Sequence, residues 1–423
     1  MKNIVKQGTV YGPPICAASI DSINKIGYDA VTHYGPNVEV KIMAYVDDLG
    51  SAGSDVTANK TIQNCNIMEE EKKMTMNTDQ GKSAVLVVRE NADSGFVTAM
   101  VKKGEFKRVL EYGYLGTWLD QTGSYRINIV KREENLPFMI STVKRLASKW
   151  NMGTMSTVGR LKMMLQVLIV SFLYNAEAYP SFTVLEMKTL EQVQGKIIRE
   201  ILEVPMSTPY FPLLLETGMW TMEARINYKK LMLYHNIMNS DDNRLIKNIV
   251  IEQKRCLRPG TWYHSITKII QKYSIELSEN VLKSQWKRHV KTQIQIVVET
   301  EIRSGCNTSD SGKGRTVCME DYSMKTYMKE LPVDVVSDIL KVRLHMVRLP
   351  CNYGDKDKCW LCDNAVAKTE HYLRCPGTIL IRECMGIVSD SSFANLDTDQ
   401  LVKISQFYKK LELRCVSCKG RNY

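Results

Sequence analysis

Val38-Glu39-Val40-Lys41-Ile42-Met43-Ala44-Tyr45-Val46-Asp47-Asp48 is the stretch on which the reading of this chain turns. Val38, Val40, Ile42, Ala44 and Val46 alternate with Glu39, Lys41, Met43 and Tyr45, the period of a half-buried strand. Gly35-Pro36-Asn37 supplies a turn before it, and Leu49 to Gly53 can return as a second short strand. The strand therefore delivers Asp47 and Asp48 to a hairpin tip. Two adjacent carboxylates repel unless a cation sits beside them. In two-metal phosphoryl transfer, carboxylates hold Mg²⁺ ions that clamp the attacking and leaving oxygens. A solvated Asp-Asp turn is the plainer alternative.

Upstream, Gln7-Gly8-Thr9-Val10-Tyr11-Gly12-Pro13-Pro14 reads as a loop and Ile15 to Ile26 as an apolar-periodic helix. Downstream, Val56 to Met68 has helical spacing and Ala84–Val88 reads as a buried strand. Strand, hairpin, helix and strand make a small α+β unit. From about residue 135 the pattern turns helical. Leu190, Val193, Ile197, Ile198, Ile201 and Leu202 form one amphipathic stripe that stops at Pro205, and residues 213–240 repeat the style. The uncharged run Met163–Ala176 is too short and too polar to span a bilayer and is read as a buried helix. Residues 303–316, rich in Ser and Gly, are the best linker candidate.

With 423 residues, 44% apolar and 24% charged, the composition is that of a folding chain of several domains. No signal peptide is visible in MKNIVKQGTVYG. The net charge of +11 is unevenly spread. Residues 1–100 carry 9 Lys/Arg against 12 Asp/Glu, whereas 101–160 carry 11 against 5. The basic segment includes Lys131-Arg132 and Lys144-Arg145, interleaved with Tyr112, Tyr114, Trp118, Tyr125 and Trp150. Cations among aromatics suit a phosphate backbone with stacked bases, or else a solvated helix face over core aromatics.

Eight of the twelve cysteines fall between Cys318 and Cys418. Cys359-Trp-Leu-Cys362, then eight residues, His371, three residues and Cys375 form a CxxC…HxxxC set. Three thiols and an imidazole on short loops are what a closed tetrahedral Zn²⁺ site requires. Cys415-Val-Ser-Cys418 is a second CxxC with only Cys384 nearby, and Cys384, Cys415 and Cys418 are assigned no role. His33, His235, His264, His289 and His345 are isolated in the sequence.

Gln7-Gly8, Tyr45-Val46-Asp47-Asp48, Lys82 and Tyr114-Leu115-Gly116, in that order, resemble the palm of reverse transcriptases. Leu190-Glu191-Gln192-Val193-Gln194, Ser207-Thr208-Pro209 and Leu214-Leu215-Glu216-Thr217-Gly218, followed by the Cys/His set, extend the likeness. The whole sequence looks like the C-terminal part of a non-LTR (LINE-type) retrotransposon polyprotein. That resemblance implies an α+β fold: a partial palm over 1–122, a helical thumb over 123–205, a helical extension over 206–340 and a zinc-binding module over 341–423.

It implies an RNA-directed DNA polymerase that uses Mg²⁺, deoxynucleotides, an RNA template and a DNA primer or target, inside the cell as a ribonucleoprotein in nucleus or cytoplasm. No membrane role is expected. Asp47 and Asp48 match metal-binding carboxylates, and Lys82 a proton donor near the leaving pyrophosphate. Gln7 and Gly8 match a template-contacting loop, with Tyr45 beside the carboxylates and Tyr114, Leu115 and Gly116 at the primer end. Lys131, Arg132, Lys144 and Arg145 would grip nucleic acid, and Cys359, Cys362, His371 and Cys375 would hold zinc. In this family the first catalytic aspartate precedes the Gln-Gly loop, and only six residues precede Gln7 here. The expectation is therefore a chain inactive alone, with the upstream palm and fingers as its expected partner; the rival is a non-catalytic RNA- or DNA-binding remnant.

Overall fold

The computed structural model describes residues 82–87, 98–101, 104–149, 157–276, 281–307, 321–349, 358–363, 368–387 and 396–419, with Gln63, Asn66 and short strand segments within 32–50. The described residues are mostly helical with few strands, an α+β chain in general terms. They fall into two compact units. One comprises residues 1–128, 178–182 and 233–268, the other residues 129–177, 183–232 and 269–423.

The strands belong to the first unit. β1 (Thr32–His33) pairs antiparallel with β2 (Glu39–Val40), and β3 (Met43–Tyr45) with β4 (Asp48–Gly50). Tyr45 faces Asp48 across the second pair, so a hairpin return forms, and it begins at Asp48 and not after the aspartates as expected. β5 (Val85–Leu86) is half-buried rather than buried, and runs parallel to β7 (Gly104–Val109), whose other edge takes β6 (Thr98–Val101) antiparallel.

β8 (Glu111–Tyr114) and β9 (Thr117–Asp120) form a hairpin whose two connecting residues, Leu115 at φ 47° and Gly116 at φ 75°, both take left-handed backbone. Turns of this hand match the twist of the flanking strands. Asn128 fixes this hairpin from α1 (Arg126–Glu134) by accepting from Trp118 N at 2.8 Å and donating to Trp118 O at 2.7 Å. Gln63 and Asn66, the described residues within the expected 56–68 helix, are helical, while the expected helix at 15–26 lies outside the described residues.

α2 spans Leu136–Lys149 and α3 Thr157–Met163. The Met163–Ala176 run is helical as far as Phe172, as a wide π turn over Met164–Ile169 that passes into α4 (Val170–Phe172), and residues 173–175 form a turn. It is amphipathic and not wholly buried. Met164, Leu168 and Phe172 are sealed, whereas Val167, Val170 and Tyr174 are exposed.

α5 (Val184–Leu202) carries the apolar stripe the sequence shows, all of it buried. Its start is a capping box in which Thr183 and Glu186 satisfy each other's backbone N–H. It ends at Leu202, with Glu203 in left-handed conformation two residues ahead of Pro205. α6 (Tyr210–Thr217) and α7 (Met222–Met238) follow, then α8 (Leu245–Cys256) and α9 (Trp262–Lys272).

α10 runs from Lys283 to Asn307, so residues 303–307 are helix and only the remainder of the expected linker could serve as one. The reason is packing. Trp286, Val290, Ile294, Val298, Ile302 and Cys306 bury one side at every fourth position, and a Cβ on Gly305 would stand 2.5 Å from the Phe211 ring. The Ser/Gly composition of its end marks close approach rather than a hinge.

The chain closes with α11 (Thr326–Glu330), α12 (Val333–Arg343), α13 (Ile379–Met385) and α14 (Thr398–Lys419). Among the described residues no helix is long and apolar enough to cross a membrane.

Candidate metal centre

α12 and α14 build the wall on which the Cys/His module sits. Val342 of α12 and Ile404, Phe407, Tyr408 and Leu411 of α14 share one core with Val347, Leu349, Tyr372 and Leu373. Cys359 and Cys375 lie inside that core, both fully buried. Cys359 opens a tight turn in which Asp363 N donates to Cys359 O at 2.8 Å and Leu361 N lies 3.5 Å from Cys359 Sγ. Asp363 takes a φ of 56° to complete that turn.

His371 rides a 3₁₀ turn, Thr369–Leu373, tied to α14 where the Tyr408 hydroxyl donates to Thr369 O at 2.5 Å. Cys375 caps the next turn, where Thr378 Oγ1 donates to Tyr372 O at 2.8 Å and Arg382 Nη2 donates to Cys375 O at 3.3 Å. Gly377 lets the two loops meet. A Cβ there would lie 2.8 Å from Leu361 Cβ.

These turns bring four donor atoms together. Cys359 Sγ is 3.7 Å from Cys375 Sγ, and Cys362 Sγ is 3.4 Å from His371 Nε2. Tetrahedral zinc, with bonds of about 2.3 Å to sulfur and about 2.0 Å to nitrogen, sets these edges at about 3.8 Å and about 3.6 Å. All four ligand atoms lie within 4.8 Å of one another, so the widest edge needs to close by about 1 Å around such an ion. Burial pushes the Cys375 thiol up to about 12, with the neighbouring Cys359 and Cys362 thiols adding to the rise. Burial also lowers the His371 imidazole, favouring the neutral form that ligates metal. The four residues can hold a metal ion such as zinc.

Cys415 is buried on α14 and Cys384 is exposed on α13; neither joins the cluster. Outside the four ligands, His345 takes a φ of 54° and places Nε2 3.4 Å from Glu370 Oε1, next to His371. Nothing in its isolated sequence position signals that.

The remaining expected site residues are scattered. Gln7, Gly8 and Asp47 lie outside the described residues, as does the Asp48 side chain. Lys82 is exposed ahead of β5, its carbonyl accepting from the Tyr112 hydroxyl at 2.7 Å. Tyr114, Leu115 and Gly116 form the β8–β9 turn. Lys131 and Arg132 sit half-buried in the last turn of α1, where Arg132 Nη1 donates to Phe172 O at 3.0 Å and the guanidinium lies 5.9 Å from the Tyr174 ring centre. Lys144 pairs with Glu200 at 2.7 Å, and Arg145 is exposed beside it. Tyr125 is fully buried between Tyr179 and Phe182, a core aromatic and not a base-stacking one.

Two of the quoted helical segments prove to be buried polar joints. Glu191 accepts from the Tyr210 hydroxyl and from Glu223 N, and burial raises its pKa. Glu216 accepts from Arg343 Nε at 2.8 Å and from the Tyr327 hydroxyl at 2.8 Å. Gly218, at φ 63°, ends α6 where a Cβ would stand 2.6 Å from Met324 N.

The fold and the site together define a mainly helical protein with a Cys₃His cluster that can hold a metal ion. Neither a family model, nor a curated protein, nor a solved structure matches the chain.

Proposed function

We propose that this chain is the C-terminal part of a non-LTR retrotransposon reverse transcriptase, and that its Cys/His module holds one zinc ion and grips RNA or DNA. The observation that carries the zinc is the convergence of Cys359, Cys362, His371 and Cys375 at near-tetrahedral spacing inside a hydrophobic core. A bound Zn²⁺ supplies structure here, not chemistry: four protein ligands leave no open coordination position. The polymerase lineage is supported by the order of the YVDD, YLG, LEQVQ, STP and LLETG segments ahead of the Cys/His set. In that reading Asp47 and Asp48 hold Mg²⁺ at the primer end, and Lys131, Arg132, Lys144 and Arg145 lie along the nucleic acid.

The test uses the purified full chain. Elemental analysis should find about one zinc per chain, lost in Cys359→Ser/His371→Ala. RNA and DNA affinity should fall with the zinc. Unchanged metal content in the double variant removes the site. Intact nucleic-acid binding after metal loss removes the grip. Primer extension with Mg²⁺ is run with the upstream half of a related palm supplied in cis or as a separate chain, and compared between the parent chain and Asp47→Asn: incorporation lost in Asp47→Asn supports the catalytic reading, and absence of incorporation with binding retained supports the remnant.

A further inference from the structure

A cavity of about 630 Å³ opens in the second unit between the π turn, the end of α6, the start of α7 and one face of α10. Its apolar floor is made by Leu165, Ile169, Leu173 and Met219, and the half-buried rings of Trp220 and Tyr228 also line it. The polar side is cationic: Arg225, Lys229, Lys287 and Lys291. No carboxylate is among the described residues that line it.

The four cations are not equivalent. Lys229 is already neutralised, pairing with Glu177 at 2.8 Å and donating to Leu173 O at 2.6 Å. Lys287 and Lys291 are exposed, four apart on α10, and neither makes an ion pair among the described residues. Like charges at that spacing repel along one helix face, a repulsion that an anion between them removes. Arg225 is the sharpest anomaly. Its Nε is buried and has no hydrogen-bond partner among the described residues. Buried charged donors are ordinarily paired, as Arg343 is with Glu216.

Trp220 Nε1 is spoken for, donating to Gln295 Oε1 at 2.6 Å. Its indole and the Tyr228 ring, 5.6 Å apart between centres, therefore present fixed aromatic surface and not a mobile side chain. Fixed rings, an apolar floor, two unpaired lysines and an arginine with an unpartnered Nε suit one ligand chemistry: a phosphate ester carried on a planar body that stacks.

We propose that this cavity binds a nucleotide unit, its phosphate held by Arg225, Lys287 and Lys291 and its base against Trp220. The proposal is independent of the zinc reading, because the cavity and the Cys/His module share no residue. The unit can come from a free nucleotide or from a single strand threaded past α10, and the two are separated by experiment.

Two fluorescent probes are titrated onto the full chain by anisotropy: a labelled nucleoside monophosphate and a labelled twelve-residue oligothymidylate. Lys287→Gln/Lys291→Gln is the diagnostic variant, since both side chains are exposed and unpaired and the fold does not depend on them. The expected result is binding of at least one probe, weakened about tenfold or more in the variant, as loss of charge-assisted contacts requires. If the oligonucleotide binds more tightly, its salt slope should flatten by about 1.4 in the variant, two contacts at about 0.7 each. Cys359→Ser/His371→Ala should leave the monophosphate titration unchanged, which separates failure of this site from failure of the zinc reading. Equal binding by parent and variant, no binding of either probe up to millimolar concentration, or displacement by polyglutamate but not by inorganic phosphate would each overturn the assignment.

Discussion

Replacing Glu216 by alanine should cost this protein more stability than any single surface change. The Glu216 carboxylate is wholly buried and the Arg343 side chain is 2% exposed, with Nε and Oε1 2.8 Å apart. The second oxygen accepts from Tyr327, and the Glu216 carbonyl from Lys325 N at 3.2 Å. Glu216→Ala therefore takes the carboxylate partner from a buried guanidinium and from a buried hydroxyl at once. Breaking a buried pair from one side costs about 3–5 kcal/mol, and the hydroxyl's lost hydrogen bond adds about 1 kcal/mol.

At about 2–4 °C per kcal/mol for a cooperative unit of about 150–250 residues, the melting point should fall by roughly 8–24 °C. Removing both charges as Glu216→Leu/Arg343→Met leaves no buried charge without its counter-charge, only the Tyr327 hydroxyl short of this acceptor, and should restore most of that loss. Thermal and urea melts followed by circular dichroism read both variants. A loss below about 1 kcal/mol for Glu216→Ala, or a double variant as damaged as the single, would refute the reasoning.

Metal removal should act locally: chelation ought to loosen the α13–α14 segment, read as faster hydrogen exchange at 368–387 and 401–411, while exchange in α5 and α10 stays unchanged. Gly377→Ala should weaken metal binding without touching a ligand, because its Cβ would push on Leu361 at 2.8 Å; equal zinc affinity in parent and variant would discount that contact. Asp338 gives a pH signature. Burial acts to raise its pKa, but hydrogen bonds from Lys341 and Lys409 outweigh this and hold it below the usual carboxylate range. A depressed folded-state pKa contributes stability that is present above the unfolded value, near 4, and is lost as pH falls through the folded value. Asp338→Asn should thus remove part of the acid sensitivity below about pH 4, and under about 1 kcal/mol at neutral pH since the Lys409 partner is exposed. Neutralising Lys131, Arg132, Lys144 and Arg145 should flatten the salt dependence of nucleic-acid affinity; an unchanged slope would detach those residues from the interface.

What the sequence determined by itself was whatever follows from local spacing. The Cys/His ligands were legible because metal ligation imposes short loops between donors. The α5 stripe was legible because one helix face must be apolar to be buried. The hairpin return after Tyr45 was legible because strand alternation has period two.

Tertiary structure alone decided the rest. Residues 303–307 look like a linker until Phe211 is seen against Gly305, for composition cannot distinguish a glycine that bends from one that admits a neighbour. The Met163–Ala176 run carries no charge and reads as a buried helix, yet its Val167 and Val170 face outward because burial belongs to a face and not to a segment. Arg225, Lys287 and Lys291 lie up to 66 positions apart, and only the packing of α7 against α10 makes one charged cavity of them. Charge, unlike a metal-ligand motif, carries no spacing rule along the chain, since its energy depends on distance through the folded protein.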